Sequence, residues 1–218
     1  MENKGAVGRI NVRDVEIAFL TRDDNDGVTY ESPIHIPGTM QIQLAPRVAS
    51  DVIHGDGNAR YHVVKVGGYD VTFDHNRIPS PIMARMRGQR YSADGKTINS
   101  HVNDVPADFA MGFTIDLTGG EVEVTWLVKC SVTPPNKNTQ QTTENMNHSP
   151  DSVTIFAMPL EYNGYYEHIG DTSDKESGFT MADAAAFFNT VPILPPRSYN
   201  DSAQGAAGVL AASTGKGK

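Results

Sequence analysis

The residues Gly119-Gly-Glu-Val-Glu-Val-Thr-Trp-Leu-Val-Lys-Cys-Ser131 decide how this chain folds. After a two-glycine turn, Val122, Val124, Trp126, Val128 and Cys130 alternate with Glu121, Glu123, Thr125 and Lys129. A period of two belongs to a strand with one dry and one wet face. Trp126 brings the largest apolar surface to the dry side, so the segment predicts a core strand anchored by Trp126. Cys130 on the same face reads as a buried structural thiol. A single cysteine makes no internal disulfide, in keeping with a reducing compartment.

Working towards the N-terminus, Ala110-Met-Gly-Phe-Thr-Ile115 reads as a further strand. Val71-Thr-Phe-Asp-His75 is another, with Phe73 as a core anchor. It feeds a short helix in which Pro79 and Pro81 suit the first turn, Ile82, Met83 and Met86 make the apolar stripe, and Gly88 is the stop. So short a helix needs a sheet to lie on, which makes Met83 a third core anchor. Tyr61 to Val66 also alternates, and Gly67-Gly68 separates it from Tyr69 to Phe73 as either a hairpin turn or a bulge. Earlier still, Val15, Ile17 and Phe19 alternate with Asp14, Glu16 and Ala18, and Met40, Ile42 and Leu44 with Gln41 and Gln43. Between Ala45 and Arg60 the pattern fails, and Pro46, Gly55 and Gly57 among polar residues predict a long irregular loop. Asp23, Asp24 and Asp26 crowd what reads as a solvated turn, since no downstream Gly and Glu complete a calcium loop.

Working towards the C-terminus, Pro134 to Pro150 is an Asn- and Gln-rich polar linker, expected on the surface. Ser152-Val-Thr-Ile-Phe-Ala157 resumes strand character. Thr180 caps a predicted helix through Met181-Ala-Asp-Ala-Ala-Ala-Phe-Phe188, with Asp183 at the positive end of its dipole and Pro192 beyond it. The stretch from Pro195 to Lys218 is rich in Gly, Ala and Ser and has too little apolar surface for a core of its own.

Composition narrows the function. The 218 residues are 39% hydrophobic and 20% charged, the balance of a globular chain, and no apolar run nears the ~20 residues that cross a bilayer. No membrane insertion and no secretory leader are expected. A net charge of -8 argues against gripping nucleic acid, which draws on clustered Lys and Arg. Two readings of the acidity stay open: ordinary solubility, or a wall along which a polyanion slides without sticking. The seven histidines, His35, His54, His62, His75, His101, His148 and His168, show no zinc spacing, and no phosphate loop or nucleophile elbow is present in the sequence. Neither cofactor nor metal nor enzymatic activity is expected.

In their order and spacing, three of these stretches resemble the major tail protein of long-tailed bacteriophages: Val71 to Gly88, Ala110 to Ser131, and Thr142-Thr143 leading into Ser152 to Ala157. Asp14 to Thr21 fits that family's opening strand, so the similarity spans roughly residues 10 to 170. The resemblance implies a structural virion protein whose hexameric rings stack into a tail tube, made in the host cytoplasm and resident in the virion. Its implied partners are further copies of itself and the tape-measure and tail-terminator or tail-tip proteins, with genomic DNA passing through the lumen unbound. The expected fold is mainly β, two packed antiparallel sheets or a half-barrel, with a flanking short helix, a long loop and extended termini. Residues 1–12 form an N-terminal arm in this reading, 13–170 the β domain and 171–218 a C-terminal extension. The 45–60 loop, with Val48, Asp51, Val52, His54 and Asp56, is the candidate for reaching an adjacent ring. Asp14 and Glu16, or Glu121 and Glu123, are candidates to face the lumen. The alternative is a β-sandwich carbohydrate-binding module using Tyr162, Tyr165 and Tyr166; a cupin-like metalloenzyme fails on histidine spacing.

Overall fold

The computed structural model describes residues 7–55, 58–92, 94–134 and 151–197. In chain order the elements are β1 (Arg9–Asp24), β2 (Gly27–Tyr30), β3 (Ile34–Ile36), β4 (Thr39–Gly55), β5 (Asn58–His75), α1 (Ser80–Met86), β6 (Arg90–Tyr91), β7 (Ile98–Asn99), β8 (Phe109–Leu117), β9 (Val122–Val132), β10 (Asp151–Met158), β11 (Glu167–Asp171) and α2 (Met181–Ala186). The protein is mainly β. The large sheet is antiparallel, in the order β2-β1-β8-β9-β10-β5-β4, with β3 also pairing β1 and β11 also pairing β9; β6 and β7 form a separate small ribbon.

The large sheet curls on itself. Val15 and Ile17 of β1, Val71 and Phe73 of β5, Phe113 of β8, Leu127 of β9 and Ile155 of β10 share one buried cluster, with Ile42 and Leu44 of β4 packed against it. Strands at opposite ends of the order thus meet across one core, giving a half-barrel whose two halves pack face to face. It stays open at one seam, where β1 and β4 flank a groove of about 290 Å³ lined by Ile10, Val12, Met40, Ile42, Phe113 and Ile115. Asp14 shapes the β1 side: its φ of 53° falls in a shift of register between Arg13 and Glu16, a bulge that lets both Val12 and Val15 turn inward. Helix α1 covers the core with Ile82, Met83 and Met86. Met86 is the fully buried one, whereas the expected anchor Met83 is only partly buried, because the helix is tilted with Ala84 and Met86 innermost. Phe73 and Trp126 are fully buried, as anchors should be.

Trp126 faces the other side of the sheet. Its cluster, with Ala18, Ala110 and Val128, lies beneath the segment that carries α2. The indole Nε1 donates to the Phe187 carbonyl at 2.9 Å, and the ring sits 5.6 Å from that of Phe188. A Cβ on Gly112, the cross-strand neighbour of Trp126, would come within 2.8 Å of the Phe188 ring, so any larger residue would push that ring outward. Thr180 caps α2 as expected, and Asp183 in its first turn also accepts from the Thr180 amide, completing a reciprocal box, although the helix stops at Ala186, short of Phe188. With both faces covered, β9 has no wet face: Thr125 and Lys129, expected outside, are buried.

Candidate assembly surfaces

Residues 45–60 are not an irregular loop. Strands β4 and β5 form one long hairpin whose outer part leaves the barrel, with Val48 opposite Val66, Ser50 opposite Val64 and Val52 opposite His62. Pro46 and the glycines interrupt the alternation without ending the strand: β4 is the last strand of the sheet, and an edge strand accommodates proline because no ladder bond is lost. Gly67 and Gly68 stand together opposite Arg47, so the break between Tyr61–Val66 and Tyr69–Phe73 is a bulge within one strand.

β10 accompanies β5 only as far as the Ala157–Tyr69 pair, and beyond it the two arm strands pair with each other. From Val48 to Gly55, at ~3.3 Å per residue, the arm reaches roughly 25 Å. Val48, Val66, Val64 and Val52 lie on one face of this ribbon and remain 51%, 38%, 52% and 40% exposed. Of the candidate ring-contact residues, Val48 and Val52 therefore belong to an apolar stripe. Asp51 lies on the opposite face and accepts a hydrogen bond from the Val52 amide at 2.8 Å. His54 pairs with Ala59 through the backbone, its side chain lying outside the described set, and Asp56 is outside the described residues altogether. The 135–150 part of the polar linker, with Thr142 and Thr143, and the ends 1–6 and 198–218 also lie outside them. Four residues of the expected N-terminal arm, from Arg9 to Val12, are strand β1.

The two acidic pairs occupy opposite faces of the sheet. Glu16 is opposite Gly112, hence on the side of Trp126, while Glu123 is opposite Ile115 on the barrel side. A single wall cannot present both. Glu16 contacts His35 Nδ1 at 3.0 Å; burial raises its carboxyl above the usual range and the imidazole works against that rise. Asp14 pairs with Arg13. Glu123 accepts from the Arg9 guanidinium at 2.9 Å, and Glu121 from the Thr172 hydroxyl at 2.7 Å. Arg13 and Arg9 offset the charges of Asp14 and Glu123, whereas the neutral Thr172 hydroxyl leaves the charge of Glu121 in place.

One charge cluster was hidden from the sequence. Asp23, read as part of a solvated turn, has a side chain only 4% exposed and accepts from Lys129 Nζ at 2.7 Å and from the amides of Glu161 and Tyr162 at 3.0 and 3.1 Å. Burial alone would raise its carboxyl, but the ammonium and the two amides outweigh it and hold it below the ordinary value. Asp24 and Asp26 do form the turn, each contacting Arg22. A lysine inside an otherwise dry strand was the available signal: a buried cation requires a partner, here 106 residues away.

The tyrosines offered for sugar stacking are turned to their own chain. Tyr166 packs edge-on against Tyr69 at 5.7 Å, Tyr165 against His168 at 5.6 Å, and Tyr162 joins the Trp126 cluster. Burial pushes the Cys130 thiol up, so the thiolate is suppressed. Among the described residues, no group of three or more His, Cys, Asp and Glu could hold a metal, and no helix is long and apolar enough to cross a membrane. No protein-family model matches the chain, and no curated protein does.

Proposed function

We propose that this chain is a structural subunit that assembles with copies of itself into stacked rings, the tail tube of a long-tailed phage, through whose lumen the genome passes without being gripped. One observation carries the reading: the β4–β5 arm leaves the half-barrel and exposes a stripe of four valines that no other element of the described chain covers. An isolated two-stranded ribbon is marginal in water, and covering such a stripe is worth a few kcal/mol, so a neighbouring copy is the partner that gives the arm its stability. The sequence resemblance supplies the kind of assembly. Tape-measure and terminator proteins then meet the tube at its ends, and the virion is its location.

The test is negative-stain imaging of concentrated protein together with sedimentation over a range of concentrations. Rings or tubes of uniform width, growing with concentration, are the expected result. A single monomeric species throughout would overturn the proposal.

A further inference from the structure

We infer that Arg47 is a positioning residue, a latch that sets the angle at which the β4–β5 arm leaves the barrel. The junction is built to bend. Arg47 stands opposite both Gly67 and Gly68, so the ribbon carries an extra residue and two side-chain-free positions where it parts from β10. Gly68 adopts a φ of 121°, and a Cβ there would lie 2.1 Å from the Ala157 carbonyl oxygen, so this position is confined to glycine. Without a further tie, a bulge of this kind is a hinge.

The guanidinium of Arg47 supplies the tie. Nη2 donates to the Ala157 carbonyl at 2.9 Å, at the last β10 residue that pairs with β5. Nε lies 3.3 Å from Asp70 Oδ1 on β5, and the guanidinium carbon is 5.4 Å from the centre of the Phe156 ring. One hydrogen bond, one ion-pair contact lacking hydrogen-bond geometry and one ring contact, reaching two strands of the body from one planar group at the root of the arm, set a direction as well as a distance. Lysine, a point charge on a flexible stem, cannot reproduce them. The pair is half-exposed, so its value lies in geometry and it adds little to the stability of the barrel. Its consequence for assembly rests on the tube reading: an arm held at one angle meets a neighbouring copy without first losing orientational freedom.

The experiment places spin labels at Ser50→Cys on the arm and Thr154→Cys on β10, both exposed positions, while buried Cys130 stays out of reach of the label. Distance distributions are recorded on dilute full-length chain shown by sedimentation to be monomeric. The latch predicts one narrow peak for the wild type. It predicts that the share of orientations outside that peak rises about fivefold in both Arg47→Ala and Arg47→Lys, with the unfolding midpoint of the barrel unchanged. A narrow peak in Arg47→Ala, or full restoration of the wild-type peak by Arg47→Lys, would overturn it; should the alanine variant fail to fold, the lysine variant alone decides. Because the measurement is made on monomers, it judges the latch whether or not the chain forms tubes.

Discussion

The barrel and the arm are made of the same strands and differ in what covers them. In the barrel, Val71 and Phe73 of β5 sit under α1 and opposite β8 and β9, fully buried. A few residues earlier on that strand, Val64 and Val66 remain largely exposed among the described residues. The hydrophobic pattern is continuous and the burial is not. A chain that continues an apolar alternation past the limit of its own core exposes a candidate surface for another molecule, a sharper indication than composition gives.

The largest effect expected from this contrast is on the barrel. Trp126→Ala should cost ~3–5 kcal/mol in urea unfolding, because the indole fills the space beneath Phe188 and donates to Phe187. A cost below ~1 kcal/mol would mean that the α2 segment does not truly seal the outer face.

Next comes the buried pair. Lys129→Met leaves Asp23 with only backbone donors and should cost about 3 kcal/mol near neutral pH. The folded state holds Asp23 below its ordinary value, so its contribution is complete above about pH 3.9 and is lost as pH falls through the depressed value. The gap between wild type and Lys129→Met should therefore narrow in urea titrations taken at about pH 3. A gap that stays constant with pH would show that Lys129 acts through packing alone.

A smaller change is expected for Tyr30→Phe, which removes the hydrogen bond from the Tyr30 hydroxyl to the Val128 carbonyl at 2.9 Å and should cost about 1 kcal/mol by the same measurement. Smallest of all for stability is the arm. Val52→Lys with Val64→Lys should leave the unfolding free energy within ~0.5 kcal/mol while abolishing the large species in sedimentation. Loss of several kcal/mol from this pair would move the arm into the barrel's cooperative unit and erase the distinction between the two regions.

Much of the barrel was legible in the sequence because its signals are local. Alternation placed β1, β9 and the barrel parts of β4 and β5, the order of the stretches in the resemblance placed β8 and β10, the paired prolines placed α1, and Thr180 with Asp183 placed the start of α2. The arm is not legible in the same way, because proline and glycine break a strand except at an edge, and that β4 is an edge strand is set by topology. The wet face expected of β9 fails for a different reason. Whether Lys129 meets solvent depends on Asp23, and whether Trp126 needs a cover depends on Phe187 and Phe188, partners set by topology and invisible to spacing. Val48 and Val52 lie in the candidate contact segment, and the structure supplies the reason for their exposure, a ribbon face where a loop was expected.

That geometry also dictates how the central claim is best tested. Removing Val48 to Gly57 alone would strand the opposing residues up to Val66, so the informative variant removes 48–66 as a unit and joins Arg47 to Gly67 through a short glycine turn. Sedimentation and unfolding are then measured on the same sample. The account predicts a folded monomer at every concentration, with the wild-type barrel's cooperative transition kept. Rings or tubes formed by the armless chain as readily as by the full one would contradict it.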